Sequence, residues 1–454
     1  MHVVVPIVNR NVGRFVRTRT ARVCLAATRT VAPGTAAFWM TVCWSAIFST
    51  AALVIVDAAR LAAQTPGADP FAEMMAEDPE FAAARTRAQS NFADAKTQFV
   101  DAMLTLRTTH LRYRNREART PQDRRDFYRQ KRDAQLAMND LLDAALDYLR
   151  VGGDPEAVQF ASTAVQNRRN NDIYDVTSLE VAARLIDGGS RDLHLFESGA
   201  RSAMVVGDFD LAKRLYDALI EDEKVEIKKS DQLMVQWMDQ FKADFELETN
   251  RRQQDPSAEL PRVRFRTTQG EFEIELFIDD APSTVAHFLR LVQNGFYDGL
   301  DFTQVIDDLL ALTGDRSGNG TGNSGQFLID ESQGPDAPRR ALRGSVLMAK
   351  LPTKDGKFIP NSASSQIAIL FLPRLNVHED QTIIGRVVQG MDVVSRMRRI
   401  DPSKEKKKGE VEIEPDSILS AEIVVPPQEW PTPEYLGGSS QTSKQAVVSQ
   451  TSPQ

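Results

Sequence analysis

The sequence predicts a multidomain chain in which an all-α domain of helical hairpins or a bundle precedes an antiparallel β domain. Three observations predict it. Residues 81–252 hold few prolines and many Ala, Leu, Arg, Asp and Gln, with apolar residues at helical spacing. From Val263 the period changes to two, because Val263, Phe265 and Thr267, then Phe272, Ile274 and Leu276, alternate with polar neighbours. Between these regions, Pro256 to Pro261 forms a proline-bounded break. A length of 454 residues, too great for a single core, fits two domains plus tails.

The first 63 residues form a leader. No Asp or Glu precedes Asp57, whereas Arg10, Arg14, Arg17, Arg19, Arg22 and Arg29 do. An apolar run from Ala36 to Val56 follows, then Ala62-Ala63. This reads as a secretory signal cleaved before Gln64, or as an uncleaved membrane anchor, the run being about long enough to span a bilayer. Met40 as the true start and a transit peptide are further alternatives. The expected location is outside the cytoplasm, periplasmic or extracytoplasmic. Both cysteines, Cys24 and Cys43, lie in this leader, so the remainder carries no disulfide and no thiolate metal site. Residues 64–80, with Thr-Pro-Gly-Ala-Asp-Pro and Glu-Asp-Pro segments, read as a linker.

The helical domain is expected over 81–255. Leu136, Leu141, Leu142, Ala145, Leu146 and Leu149 recur at helical spacing and Gly152-Gly153 closes the run. Ala157, Phe160, Ala161, Ala164 and Val165 give a second face, and Val181, Ala182, Leu185 and Ile186 a third, ended by Gly188-Gly189. The stretch from Gly207-Asp208 to Leu219 is loosely similar to the second helix of a tetratricopeptide repeat. Such repeats expose a concave face to a protein partner. The glycine–aspartate turns keep no strict period, so a plain bundle is the alternative. The arginines from Arg112 to Arg125 read as a solvated helix face. A formal net charge of −8 argues against nucleic acid as a general partner.

The β domain opens on the hairpin around Gln269-Gly270. Pro282 suits a first helical turn, Val285, Phe288, Leu289 and Val292 share one helical face, and Asn294-Gly295 stops it. His287 falls off that face, so it is expected at the surface. A hairpin, a helix and another strand at Phe302 suit a barrel plugged by a helix.

Several separated motifs then resemble the cyclophilin family in the right order. They are Asp280-Ala-Pro-Ser-Thr-Val-Ala-His-Phe-Leu-Arg-Leu-Val-Gln-Asn-Gly-Phe-Tyr-Asp-Gly299, Phe302-Thr-Gln-Val-Ile-Asp-Asp-Leu-Leu-Ala-Leu-Thr-Gly-Asp315, and the Gly-rich loop Gly318 to Gly325. Arg343 to Ala349, Asn361 to Ile369 and Ile384 to Val394 continue the resemblance, which spans Val263 to Val425 within a domain of 261–425. It implies a closed barrel of antiparallel strands with two capping helices, the second from Gly390 to Ile400, and a last strand from Ile418 to Val425. Lys404 to Gly409 would be a surface loop. From Pro426 to Gln454, Pro, Ser, Thr, Gln and Gly dominate, so 426–454 is expected to be a disordered tail.

The resemblance also implies peptidyl-prolyl cis-trans isomerase activity on proline-containing polypeptides, with no cofactor and no metal. Twisting a peptide bond breaks its conjugation against a barrier of about 18–20 kcal/mol. Catalysis therefore needs an apolar pocket for the proline ring and polar groups favouring the twisted amide. In the family an arginine donates to the prolyl nitrogen and a glutamine holds the peptide. Carried over position by position, the resemblance assigns catalytic positions to Gln304, in place of that arginine, and to Gln366. It assigns substrate-binding positions to Phe302, Leu309, Leu310, Leu312, Ala368, Leu375 and Gln381. Leu309 and Leu310 stand for the family's pocket Phe and Met, Ala368 for its second pocket Phe, and Gln381 for its far-wall histidine. A short insertion lies around Val377 to Asp380.

A neutral donor at Gln304 forms a hydrogen bond about half as strong as a charge-assisted one, and Ala368 enlarges the pocket. The expectation is an isomerase of exported proteins with weakened activity, or a catalytically silent peptide-binding module on a helical scaffold. Two other motifs carry less. Gly320-Thr-Gly-Asn-Ser-Gly325 fits a dinucleotide fingerprint outside any strand–helix context. Asp315 to Gly320 suggests a calcium loop lacking its closing acid, since Gln326 stands there.

Overall fold

Two long helices begin the described residues. In this computed structural model the described residues are 78–114, 120–220, 227–255, 260–331, 339–355, 357–404 and 414–437. Helices α1 (Pro79–Arg114) and α2 (Pro121–Arg150) form a hairpin. Thr120 starts α2 through a capping box: its hydroxyl accepts the Asp123 amide at 3.2 Å while the Asp123 carboxylate accepts the Thr120 amide at 2.9 Å. Asp154 and Asp175 cap α3 (Pro155–Asn170) and α4 (Val176–Asp187) in the same sense, accepting from Ala157 and Ser178. Helices α5 (Leu193–Val206), α6 (Phe209–Ile220), α7 (Lys229–Gln236) and α8 (Met238–Gln254) complete the helical part. The turn between α5 and α6 requires glycine: Gly207 has φ +91° and an added Cβ would lie 2.5 Å from the Phe245 ring.

Two apolar clusters hold these helices. The first joins Leu141, Leu142, Ala145, Leu146 and Leu149 to Ala157, Ala161, Val181, Ala182 and Leu185, the stripes expected from the sequence. Leu136 departs from its stripe and is exposed. The second gathers Met204, Phe209, Tyr216, Met234, Met238 and Phe241, and it also takes in Leu372 of the following sheet. Helix lengths run from 36 residues in α1 to 8 in α7, so no common repeat length spans the helical part. Helices and sheet belong to one compact unit.

The sheet follows. Strands β1 (Arg262–Thr267), β2 (Glu271–Leu276), β3 (Phe302–Ile306), β4 (Leu310–Thr313), β5 (Ser345–Met348), β6 (Ile367–Leu370), β7 (Ile383–Gln389) and β8 (Ile418–Val425) pair antiparallel in the order β3-β4-β6-β5-β7-β2-β1-β8. The ends β3 and β8 meet through three hydrogen bonds. Phe302 donates its amide to the Asp416 carbonyl, Ile418 to Leu300, and Gly299 to Ile418, each at 2.8 Å. Phe265, Phe272, Tyr297, Val305, Ala311, Val346 and Ile369 fill the inside, with Phe265 and Phe272 stacked at 5.0 Å. Helix α9 (Pro282–Gln293) packs into this cluster through Val285, Phe288, Leu289 and Val292.

Several expectations need correction. The helix expected from Gly390 to Ile400, α11, runs only from Met391 to Ser395, because the Ile400 and Val305 backbones exchange hydrogen bonds at 2.9 Å. His287 is buried, not at the surface. The Gly-rich loop and the C-terminal segment cover its side of α9, so its Nδ1 meets the Tyr435 hydroxyl at 3.1 Å and its Nε2 meets Ser324 Oγ at 3.5 Å. Residues 426–437 were assigned above to a disordered tail, but Glu434 to Leu436 lie against helix α9 and the 327–329 segment. Glu434 donates its amide to Ser283 Oγ at 2.7 Å and Leu436 donates to the Phe327 carbonyl at 2.9 Å. The insertion at Val377 to Asp380 forms one helical turn, α10 (Val377–Asp380). The leader with its apolar run 36–56, the cleavage position at Gln64, linker residues 64–77, Arg116, Arg119, most of the 404–409 loop and tail residues 438–454 lie outside the described residues. No helix among the described residues is long and apolar enough to cross a membrane.

Candidate functional site

Strands β5 and β6 are buried at every position, which no one-sided sheet would require. Their inward residues, Val346, Met348, Ile367 and Ile369, join the inner core. Their outward residues, Leu347, Ala368 and Leu370, form a second cluster with Leu312, Ile383, Phe277, Ala341 and Leu260, against which Leu310, Ala349 and Val377 pack. Antiparallel register sets an ordered row across this outer face. Gln304 lies opposite Leu312, Leu312 opposite Ala368, Ala368 opposite Leu347, and Leu347 opposite Ile383. Directly opposed residues point to one side of a sheet. Gln304 therefore heads an apolar row four strands long.

The polar end of the row is built by a loop of glycines. Gln366 sits just before β6, and its side-chain Nε2 donates to the Gly320 carbonyl at 3.1 Å and the Gly322 carbonyl at 2.9 Å. An added Cβ on Gly320 would lie 4.0 Å from Gln304 Nε2. Two amide side chains thus converge on one loop segment. The loop takes its shape from the buried Asp315 carboxylate, which accepts the Ser317 amide at 2.7 Å and the Gly320 amide. At Gly322 an added Cβ would lie 1.8 Å from Asp315 Oδ1, so only glycine fits. The Asp315 carboxylate is thereby spent on backbone donors, the structural role of this segment. Behind it, Ser365 Oγ donates to the Gly314 carbonyl at 2.8 Å and the Tyr297 hydroxyl to the Ser365 carbonyl at 2.9 Å. An apolar strip ending in two neutral amides suits an apolar ring attached to a polar, planar group.

The structure distributes the expected site residues unequally. Gln304, Leu310, Leu312 and Ala368 share the outer face, and Gln366 joins them through the loop. Leu309 is half-exposed in the β3–β4 turn, where its carbonyl accepts the Phe371 amide at 3.0 Å. Phe302 is a correction: it is fully buried in the inner core, facing away from the row. Leu375 packs with the helical cluster of Met204 and Phe241 instead of with Leu312 and Ala368. Gln381 is buried at the end of α10, with its amide on the Val377 carbonyl at 2.9 Å. Leu347, Leu370 and Ile383 were not anticipated. Their signal was the unbroken apolar runs in β5 and β6, which mark strands covered on both faces.

The family model for cyclophilin type peptidyl-prolyl cis-trans isomerase/CLD matches residues 262–422. A peptidyl-prolyl cis-trans isomerase-like 1 protein of Aspergillus niger is 31% identical over 165 residues, 36% of this chain and 94% of that protein. The chain belongs to the cyclophilin-type peptidyl-prolyl cis-trans isomerase family. A peptidyl-prolyl cis-trans isomerase-like 2 protein of Gibberella zeae is 33% identical over 141 residues, 30% of this chain, and the match spans only 23% of that longer protein. Among solved structures, a cyclophilin type peptidyl-prolyl cis-trans isomerase of Cryptosporidium parvum is 24% identical with a TM-score of 0.30, covering 37% of this chain and 99% of that one. The cyclophilin-family match contains every residue of the outer-face row, whereas helices α1–α8 lie outside it.

Proposed function

We propose that the outer-face row binds proline-containing segments of polypeptides and that the protein isomerises them more slowly than an ordinary cyclophilin. The proline ring would rest on Leu310, Leu312 and Ala368, with Gln304 donating toward the prolyl nitrogen and Gln366 bracing the loop beside the peptide. The observation that carries this reading is the register Gln304–Leu312–Ala368, which sets an uncharged donor beside an apolar floor. A neutral donor gains less than a guanidinium as the amide twists and its nitrogen becomes basic. Ala368 in place of a larger wall leaves the ring loosely held. The clients are inferred to be exported polypeptides, met after the leader has directed the protein across, or into, a membrane. The contact between the β3 and β8 ends is read as closure of the barrel.

An exchange assay on the full chain with the peptide Ala-Ala-Pro-Phe tests the reading. Turnover should fall at least about tenfold below an ordinary cyclophilin, equivalent to about 1.4 kcal/mol. Gln304→Arg should raise it and Gln304→Ala should abolish it. A parent rate equal to that of an ordinary cyclophilin contradicts the proposal. Gln304 and Ala368 also favour a second reading, a silent binding module. Undetectable turnover with peptide binding intact would select it.

A further inference from the structure

The β3–β4 turn, which carries Leu309 and Leu310, is held from outside the sheet. Asp308 at its tip has φ +59°, a left-handed conformation that Asp tolerates but does not favour. Every polar handle of Asp308 has a partner elsewhere. Its amide donates to Asp172 Oδ2 at 3.1 Å, and its carbonyl accepts from Arg374 at 3.2 Å. Its carboxylate accepts from Ser230 Oγ at 2.9 Å and from the Arg201 guanidinium. Asp172 lies in the turn between α3 and α4, Arg201 in α5 and Ser230 in α7, so three separate places in the helical part grip one turn of the barrel.

Arg201 is built for this task. It is almost fully buried, and its Nε and Nη2 bind Asp231 at 2.8 and 2.9 Å, its Nη1 the Tyr174 hydroxyl at 2.7 Å, and its Nη2 Ser230 at 2.9 Å. The one donor left over, on Nη1, points at the Asp308 carboxylate, and Nη2 also lies 3.3 Å from Asp308 Oδ2. Against burial, which raises it, Arg201 holds the Asp308 carboxyl down to about 2. The opposite bank is tied to the same helices, since Leu372 and Leu375 pack into the cluster of Met204 and Phe241. Leu309 connects the two banks through its carbonyl on the Phe371 amide.

We propose that Asp308 is a positioning residue through which the helical part fixes Leu309 and Leu310, and so sets the affinity of the outer-face row for a proline-containing peptide. The proposal rests on the reading of that row as the peptide site. It gives the helices a part in substrate binding although none of them supplies a residue to the row. Asp308 touches no substrate. It acts by holding the backbone on which two wall residues stand.

The test uses the full chain, with Asp308→Asn and Ser230→Ala as variants and Asp217→Asn, in the exposed Lys213–Asp217 pair, as a control. Asparagine keeps the size and the left-handed tolerance of Asp308 and removes its charge and one of its two acceptor oxygens. Two readouts are taken: the split between KM and kcat for Ala-Ala-Pro-Phe, and the methyl NMR signals of Leu309 and Leu310. The expected result for Asp308→Asn is a KM about tenfold higher with kcat nearly unchanged, together with shifted and broadened Leu309 and Leu310 methyl signals. Ser230→Ala should show a smaller effect of the same kind, and the control none. Unmoved methyl signals, or an unchanged KM in a peptide-active protein, overturn the proposal. If the parent takes no peptide, the reading under Proposed function fails, and the methyl signals still decide whether Asp308 positions the two leucines.

Discussion

His287 illustrates how one buried side chain can make stability depend on pH. Burial lowers its imidazole to about 4, opposed by a hydrogen bond to the Ser364 backbone and reinforced by nearby Arg290. An unfolded histidine titrates near 6.5. The folded protein therefore favours the neutral ring, and its stability is intact above pH 6.5. As pH falls from 6.5 toward 4, the unfolded chain takes up a proton that the folded chain refuses, at a cost of about 3 kcal/mol. Urea unfolding at pH 7 and pH 4 should show that loss, and His287→Asn should remove most of it. An equal pH dependence in both proteins would contradict the account. The same residue shows a limit of sequence reading. Its position off the α9 stripe was legible, but the loop and C-terminal segment that cover it arrive from Ser324 and Tyr435, distant in the chain.

At the scale of elements, the β4–loop junction depends on glycine for a reason that can be tested. Gly314 has φ +95°, and an added Cβ would lie 2.2 Å from the Ser365 carbonyl. Gly314→Ala should destabilise the protein by about 3 kcal/mol and detach Gln366 from the loop, which denaturant unfolding and peptide binding would detect together. Unaltered stability would mean that the strand yields more easily than the packing implies. Most elements were legible, the β1–β2 hairpin and the α9 stripe from periodicity and β8 from the resemblance. The outer-face row was only half legible. Gln304, Leu312 and Ala368 were found by position in the resemblance, but Leu347 and Leu370 needed register, because an apolar run alone does not say which residue faces outward. Phe302 was misplaced because Phe302 and Gln304, two positions apart, would share a face in a regular strand, and the register shift that turns Phe302 inward leaves no mark in the sequence.

Across the whole molecule, several ionic contacts join the helices to the sheet region, and two of them centre on almost fully buried arginines. One is the Arg201–Asp308 contact. The other centres on Arg339, which pairs with Asp280 in the barrel at 2.6 Å and with Glu248 and Asp255 at the end of the helical part, while stacking on Phe277 at 3.7 Å. Both arginines are buried, so removing the carboxylates that face them leaves a buried charge uncompensated. A barrel expressed alone over 260–437 would also expose Leu372 and Leu375, losing about 4 kcal/mol of apolar burial and about 10 °C in Tm. Calorimetry of the fragment beside the full chain checks this, and matching melting temperatures would contradict it. None of this was visible in the sequence. Helices and barrel read there as separate domains because contacts such as Ser395 Oγ on the Asp172 carbonyl, 3.0 Å across 223 positions, leave no local pattern.

The central claim is that the outer-face row receives the proline-containing segment. Its most direct test is a methyl NMR titration of the full chain with Ala-Ala-Pro-Phe. The account predicts that the signals of Leu310, Leu312 and Ala368 move first and saturate together, with Gln304 side-chain signals following, while the exposed Leu104 of α1 stays still. Saturating shifts confined to the helical part, with the row unperturbed, would contradict it.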